Sequence, residues 1–332
     1  MTGAYGMGAD NIIEAEVVTP TGDILTASAC QNEDIFWATR GGGGGTFGVI
    51  LSVTVKAYPI PSMELSGFDI SPKNDTATKD WWRLIARFHQ ELPKLQDSGV
   101  HGYYTMSSPR TFSGSFFLFD ARNGTIEELM LPLEEMLNSK NDTASAKFTN
   151  TWVPSWWDLV QNMPAIENIG TERSIRSSRF IPRRAVEQDL DLLAETLERI
   201  GPKDTAPRVS TPSPFIFIGQ PLKQANIQNG VSNPSISGTM IGSTKPVDNA
   251  LNPAWRDSIV HIITSQSWND SLPEQTADET RREMTHGKGY ALRQLAPDTG
   301  AYYNEVCAIL YLFTTLQKNI LTGNVTGKPI RT

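Results

Sequence analysis

Asn32-Glu-Asp-Ile-Phe-Trp37-Ala-Thr-Arg40, then Gly41 to Gly45 without interruption, then Thr46-Phe-Gly48-Val-Ile50: this stretch decides the fold. Gly43, Gly45 and Gly48 satisfy G-x-G-x-x-G, the spacing of a dinucleotide-binding turn. Such a turn needs a strand running into the glycines and a helix opening after them, so that the helix N-terminus faces a pyrophosphate. Here the order is reversed. Asn32 can cap a helix over 33–39, with Glu33 and Asp34 in its first turn. The Val/Ile-rich run Val49 to Tyr58 reads as a buried strand, ended by Pro59 and Pro61. A nicotinamide-type Rossmann turn is therefore rejected, and a P-loop fails because no Gly-Lys-Ser/Thr follows. Periodicity leaves two readings open. The glycines are either a plain connector or a backbone without Cβ atoms that lets a large planar or anionic ligand approach.

Upstream, Ile12 to Val18 and Ile24 to Ala27 read as strands around the turn Thr19-Pro-Thr-Gly22-Asp23, which makes a hairpin. Downstream of Pro61 the character changes. Trp81, Leu84, Ile85 and Phe88 recur at helical spacing over 76–92, and Pro93 is expected to stop that helix. Residues 101–106 and 112–119 read as strands, 125–137 and 185–200 as amphipathic helices, and 215–218, 237–241 and 259–264 as further strands. Strands interleaved with helices, without strict βαβ spacing, predict an α+β fold: an antiparallel sheet backed by helices. A domain boundary is placed near Pro59 to Met63.

The 332 residues carry a net charge of −7, which gives no electrostatic footprint for nucleic acid or an anionic membrane surface. The longest apolar run, Cys307 to Leu316, is about half of what a bilayer span requires. No signal peptide is visible at the N-terminus. Five sequons, at Asn74, Asn123, Asn141, Asn269 and Asn324, nevertheless point to the secretory path. Cys30 and Cys307 form no framework, no His/Cys/Asp/Glu spacing suggests a metal, and no G-x-S-x-G elbow supports a hydrolase. The four histidines read as structural or exposed, with His261 in an apolar strand. Trp81-Trp82 and Trp156-Trp157 read as core, and Arg179-Phe-Ile-Pro-Arg183-Arg184 as a solvated turn.

Three segments carry a resemblance: Tyr5-Gly-Met-Gly-Ala-Asp10-Asn11 through Ile50, Leu251-Asn-Pro-Ala-Trp255-Arg256, and Ala291 to Glu305 with Tyr302-Tyr-Asn304. Together they resemble the berberine-bridge-enzyme-like FAD-linked oxidases of the vanillyl-alcohol-oxidase superfamily, in their fungal branch. The resemblance implies a partial PCMH-type FAD-binding domain over 1–62, a substrate domain over 63–290, and a return to the flavin domain over 291–332. It implies FAD as cofactor, a small alcohol-bearing metabolite or carbohydrate as substrate, and dioxygen as electron acceptor. Gly6, Asp10 and Asn11 match the loop along the FAD, Gly48, Val49 and Ile50 the strand start whose backbone meets it, and Tyr302 and Asn304 a Y-x-N motif near the isoalloxazine. A phenol there could assist proton removal from a substrate alcohol.

Two departures from the family shape the expectation. The family's phosphate loop and its flavin-linking histidine precede the matched part. From Val306 onward the chain reads unlike the family, as an intron read through or a shifted frame would make it. The alternative is a non-catalytic remnant whose middle domain binds a ligand or partner without redox chemistry.

Overall fold

A computed structural model describes residues 1–43, 45–161, 173–203, 227–228 and 230–305. The strand expected at 215–218, Cys307, Asn324 and the divergent segment from Val306 lie outside the described residues.

A short helix α1 (Thr2–Tyr5) and a 3-10 turn (Gly8–Asn11) lead into β1 (Ile12–Val18), β2 (Ile24–Ser28), α2 (Glu33–Thr39) and β3 (Val49–Val55). The three strands form an antiparallel sheet in the order β2-β1-β3. Alternation places Ala15, Val17 and Ala27 on one face, where Phe36 of α2 covers them. Two expectations are corrected here. Asn32 precedes α2 but does not cap it through its side chain. Its backbone is left-handed, and its Nδ2 donates instead to the carbonyl of Thr26 at 2.7 Å. β3 is not buried: all seven of its residues are exposed. Among the described residues it pairs with β1 alone, and an apolar run specifies a strand without specifying what covers it.

The second sheet takes β4 (Met63–Pro72), β5 (His101–Ser107), β6 (Thr111–Phe119), β7 (Ala144–Val153), β8 (Arg173–Pro182), β9 (Ile227–Gln228), β10 (Val231–Ser232), β11 (Ser235–Met240) and β12 (Ser258–Trp268). Its order is β7-β4-β6-β5-β11-β12-β10-β9, with β8 also paired to β12, and every pairing is antiparallel. One face is covered by α3 (Thr78–Asp97), α4 (Thr125–Asn138), α7 (Leu190–Ile200) and α9 (Gly289–Leu295). The remaining helices, α5 (Trp156–Gln161), α6 (Arg183–Glu187) and α8 (Glu274–Arg282), are short. The main core gathers Trp81, Trp82, Ile85, Phe88 and Leu92 of α3 with Phe68, Phe112 and Phe116 of the sheet. Each such fully buried side chain contributes about 1.5–3 kcal/mol.

Pro93 does not end α3, which runs on to Asp97. Leu92 and Leu95 bury their side chains on either side of it, so core burial outweighs the hydrogen bond that proline removes. The helix expected over 185–200 is two, α6 and α7, parted at Gln188–Asp189, where the Asp189 carboxylate accepts the Leu192 N–H at 2.9 Å. Trp156 and Trp157 are exposed rather than core, while Trp81 and Trp82 are buried. The Arg179–Arg184 cluster is not a solvated turn. It ends β8 and opens α6, with Phe180 buried beside Met7 and Trp255 on one face and Ile181 in the main core on the other.

The opposite face of the large sheet positions the site. Cross-strand register puts Phe180, His261, Thr239 and Tyr103 in one row on β8, β12, β11 and β5. Met7 joins Phe180 and Trp255 in a small cluster on that side, and Gly3 lies against His101. The N-terminal segment therefore lies on the face that the helices leave open.

Candidate functional site

Asp10 and Asn11 act first as braces. The Asp10 side chain, only 3% exposed, accepts two hydrogen bonds from Arg256, Nη1 to Oδ2 at 2.7 Å and Nη2 to Oδ1 at 2.6 Å. Asn249 Nδ2 adds a third at 2.8 Å and the Met7 N–H a fourth at 2.7 Å. Burial pushes this carboxyl up, but the donors from Arg256, Asn249 and Met7 outweigh it and hold it below its usual range. Gly6, at φ +90°, makes room: a Cβ there would stand 2.9 Å from Asp10 Oδ2. Asn11 Nδ2 donates to the carbonyls of Tyr5 and Met7, and its Oδ1 accepts from the Tyr58 hydroxyl at 2.9 Å. The Tyr58 ring in turn stacks on Tyr5 at 4.1 Å.

The loop 248–256 is the hub. Asn249 and Arg256 hold Asp10. Asp248 accepts from Trp37 Nε1 at 2.8 Å on its side chain and from Arg40 at 2.7 Å on its carbonyl. The Ala250 N–H donates to the Trp37 carbonyl. A Cβ at Gly41 would sit 2.5 Å from the Leu251 N and Cα region, so the first glycine of the run is spent on this close approach. The Trp255 ring lies 5.8 Å from Tyr302.

The third wall is the segment 296–305, strapped to β8. Arg179 donates to the carbonyls of Ala296 and Pro297, the Phe180 N–H donates to the Gly300 carbonyl at 2.9 Å, and Thr299 Oγ1 donates to the Phe180 carbonyl. Tyr302, 39% exposed, stands edge-on to His261 with centroids 6.2 Å apart, and its N–H donates to His261 Nε2 at 3.4 Å. Burial lowers the His261 pKa to about 4, so the ring is neutral near pH 7, and accepting the Tyr302 N–H on Nε2 leaves its proton on Nδ1. Asn304 lies in a 3-10 turn, Tyr303–Glu305, which Arg176 ties down through Glu305 at 2.9 Å.

Gly48, Val49 and Ile50 stand at the other end of the glycine run. Gly48 has φ +151°, and a Cβ there would meet the Val18 carbonyl oxygen at 2.5 Å. Val49 and Ile50 pair with Val18 and Val17 and are open to solvent, beside the exposed Phe47. Gly45, at φ +72°, has no atom within 4 Å of where its Cβ would be. This open backbone flanked by exposed apolar side chains suits a planar ligand. Gly48→Ala is expected to cost about 1–3 kcal/mol through strain at this φ and the Val18 clash. Urea denaturation would read that loss.

Sequence reasoning singled out Asp10, Tyr302 and the glycines. It missed that Asn249 and Arg256 clamp Asp10, and that Phe180, Trp255 and His261 form the box behind Tyr302. The only available signal was that Trp255 and Arg256 fall in a stretch of family-like sequence. The described residues hold no group of three or more His, Cys, Asp or Glu able to bind a metal, and no described helix is long and apolar enough to cross a membrane.

Over most of its length this α+β chain is similar to known flavoproteins. No protein-family model matches it. The FAD-linked oxidoreductase hmp9 of Hypomyces subiculosus is 33% identical over 319 residues, covering 91% of this chain and 46% of that protein. The FAD-linked oxidoreductase patO of Aspergillus clavatus is 28% identical, covering 92% and 49%. The crystal structure of the VAO-type flavoprotein MtVAO713 from Myceliophthora thermophila C1 superimposes with a TM-score of 0.77 at 27% identity, covering 92% of this chain and 52% of that one. The chain thus spans about half the length of the relatives it matches. The fold is that of the VAO-type flavoproteins. The chain belongs to the vanillyl-alcohol-oxidase superfamily, and the relatives it resembles over about half of their length are named FAD-linked oxidoreductases.

Proposed function

We propose that the chain forms the substrate face and part of the flavin site of a secreted FAD-dependent oxidase, which acts on an alcohol group of a small metabolite or carbohydrate. The observation that carries this reading is the convergence on loop 248–256 of three segments distant in sequence: the Asp10 loop, the start of the glycine run and the Tyr302 segment. The residues present suit FAD. Gly45 to Ile50 offer open backbone and apolar surface, and Tyr302 and Asn304 stand on a segment held rigid by Arg179 and Arg176.

FAD, when bound, would supply the two-electron acceptor for the substrate carbon–hydrogen bond. The chain's residues do the rest. Tyr302, as its phenolate, would take the hydroxyl proton while the hydride of the neighbouring carbon leaves to that acceptor. His261 holds the Tyr302 backbone from a rigid strand. Thr239 and Tyr103, half-buried in the same row as the buried Phe180, shape the surface that selects the substrate. The four described sequon asparagines are all exposed, which supports the secretory reading.

The visible spectrum of the purified chain after equilibration with FAD tests this reading. Flavin bands that co-elute with protein are expected. A folded, colourless protein would favour ligand binding without redox chemistry. With a turned-over alcohol in hand, Tyr302→Phe is expected to lower kcat about a hundredfold while leaving the flavin spectrum in place. An unchanged kcat would remove Tyr302 from the chemistry.

A further inference from the structure

β7 is an edge strand of the large sheet: among the described residues its one ladder partner is β4. An open edge is a template for pairing with another chain, so proteins blunt it or cover it. Three sequons bracket this edge. At one end, β4 finishes at Pro72 opposite Ala144, where β7 begins, so the turns carrying Asn74-Asp-Thr76 and Asn141-Asp-Thr143 lie side by side. They are tied to each other: the Lys73 N–H donates to the Thr143 carbonyl at 2.9 Å, and Thr76 Oγ1 donates to the same oxygen at 2.5 Å. Both asparagines are exposed, and an open cleft of about 420 Å³ between the turns includes Asn74 and Asp142 in its wall. At the other end, Asn123 is exposed on the turn before α4, whose Gly124 N–H donates to Glu64. Glu64 is the ladder partner of Trp152 on β7.

We propose that Asn74, Asn141 and Asn123 are N-glycosylated, and that the glycans stand at both ends of β7 and keep its edge from pairing with a second copy. The inference rests on the secretory reading above. In each attachment the side-chain Nδ2 bonds to the anomeric carbon of an oligosaccharide carried on a lipid diphosphate. The anomeric carbon–oxygen bond breaks, the lipid diphosphate leaves with its electron pair, and the amide gives up a proton.

The test expresses the full chain behind an added secretory leader in yeast and maps its peptides by mass spectrometry after enzymatic deglycosylation in heavy-oxygen water. Labelled aspartate at positions 74, 123 and 141 is expected. A secreted, folded chain with Asn74 and Asn141 unlabelled overturns the proposal. The combined N74Q, N123Q and N141Q variant keeps Thr76 and Thr143, and with them the bonds between the turns. Matched to the parent in near-ultraviolet circular dichroism, it is expected to elute as dimers or larger species where the glycosylated chain elutes as a monomer. Equal elution would refute the guarding role. Whether the natural host exports the protein is read separately from its culture medium, so a failure of the secretory reading is told apart from a failure of these sites.

Discussion

Replacing Arg256 by methionine is expected to release residues 1–11 from the large sheet and loosen the site more than any other single change. Arg256 gives Asp10 two charge-assisted hydrogen bonds in a nearly closed environment. Removing the cation leaves a buried carboxylate with only Asn249 and the Met7 N–H as donors. Losing one partner of such a pair costs about 3–5 kcal/mol, because the other charge stays buried. That is roughly a hundredfold to a few thousandfold in the opening equilibrium of the segment. Amide exchange in residues 5–11 should quicken by that factor, while α3 and the central strands keep their protection. The complementary change, Asp10→Asn, keeps a shape that can still meet Asn249 and should cost less. Equal exchange rates in parent and Arg256→Met would mean that the clamp does not hold the segment.

The second large effect is acid lability. His89, His101 and His261 each have a pKa lowered from 6.5 to about 4. Burial is the main cause in all three; for His101 the N-terminal ammonium adds to it. His89 is also committed in its neutral form, bridging the Ile85 carbonyl and the Tyr104 hydroxyl inside the core. As pH falls through 6.5 the unfolded chain binds protons that the native chain refuses until about pH 4. Stability is therefore whole above 6.5 and is lost across the window from 6.5 to 4. Each histidine accounts for about 3 kcal/mol across that window, so the three together reach roughly 10 kcal/mol at most. This is comparable with the entire stability of a typical domain. Urea midpoints measured from pH 7.5 to 4.5 should fall steeply below 6.5. His101→Gln should remove about a third of the slope. A flat profile would mean that these rings are charged or exposed in the native state.

The large sheet was readable because its strands alternate and its helices repeat at three and four residues. His101 to Ser107, Thr111 to Phe119 and the Trp81–Phe88 face of α3 follow local rules. What local rules cannot carry is cover. Val49 to Val55 has the composition of a buried strand and is exposed, because burial depends on neighbours remote in sequence. Pro93 sits inside a helix because the core on both its sides is stronger than one missing hydrogen bond. Arg179 and Arg184 look solvated, yet between them Phe180 and Ile181 are fully buried. The candidate site shows the same division. Gly48, Asp10 and Tyr302 could be picked out by family-like sequence. The hub that joins them could not, because Asn249, Asp248 and Arg256 find their partners about 210 to 250 residues away.

The central claim is that the glycine run and the Tyr302 segment face one flavin. Hydrogen–deuterium exchange of the full chain, with and without saturating FAD, tests it most directly. The account predicts slowed exchange at residues 45–50 and 299–305 together, with the helices of the large sheet unchanged. A folded chain whose exchange at both segments is the same with FAD as without would contradict it.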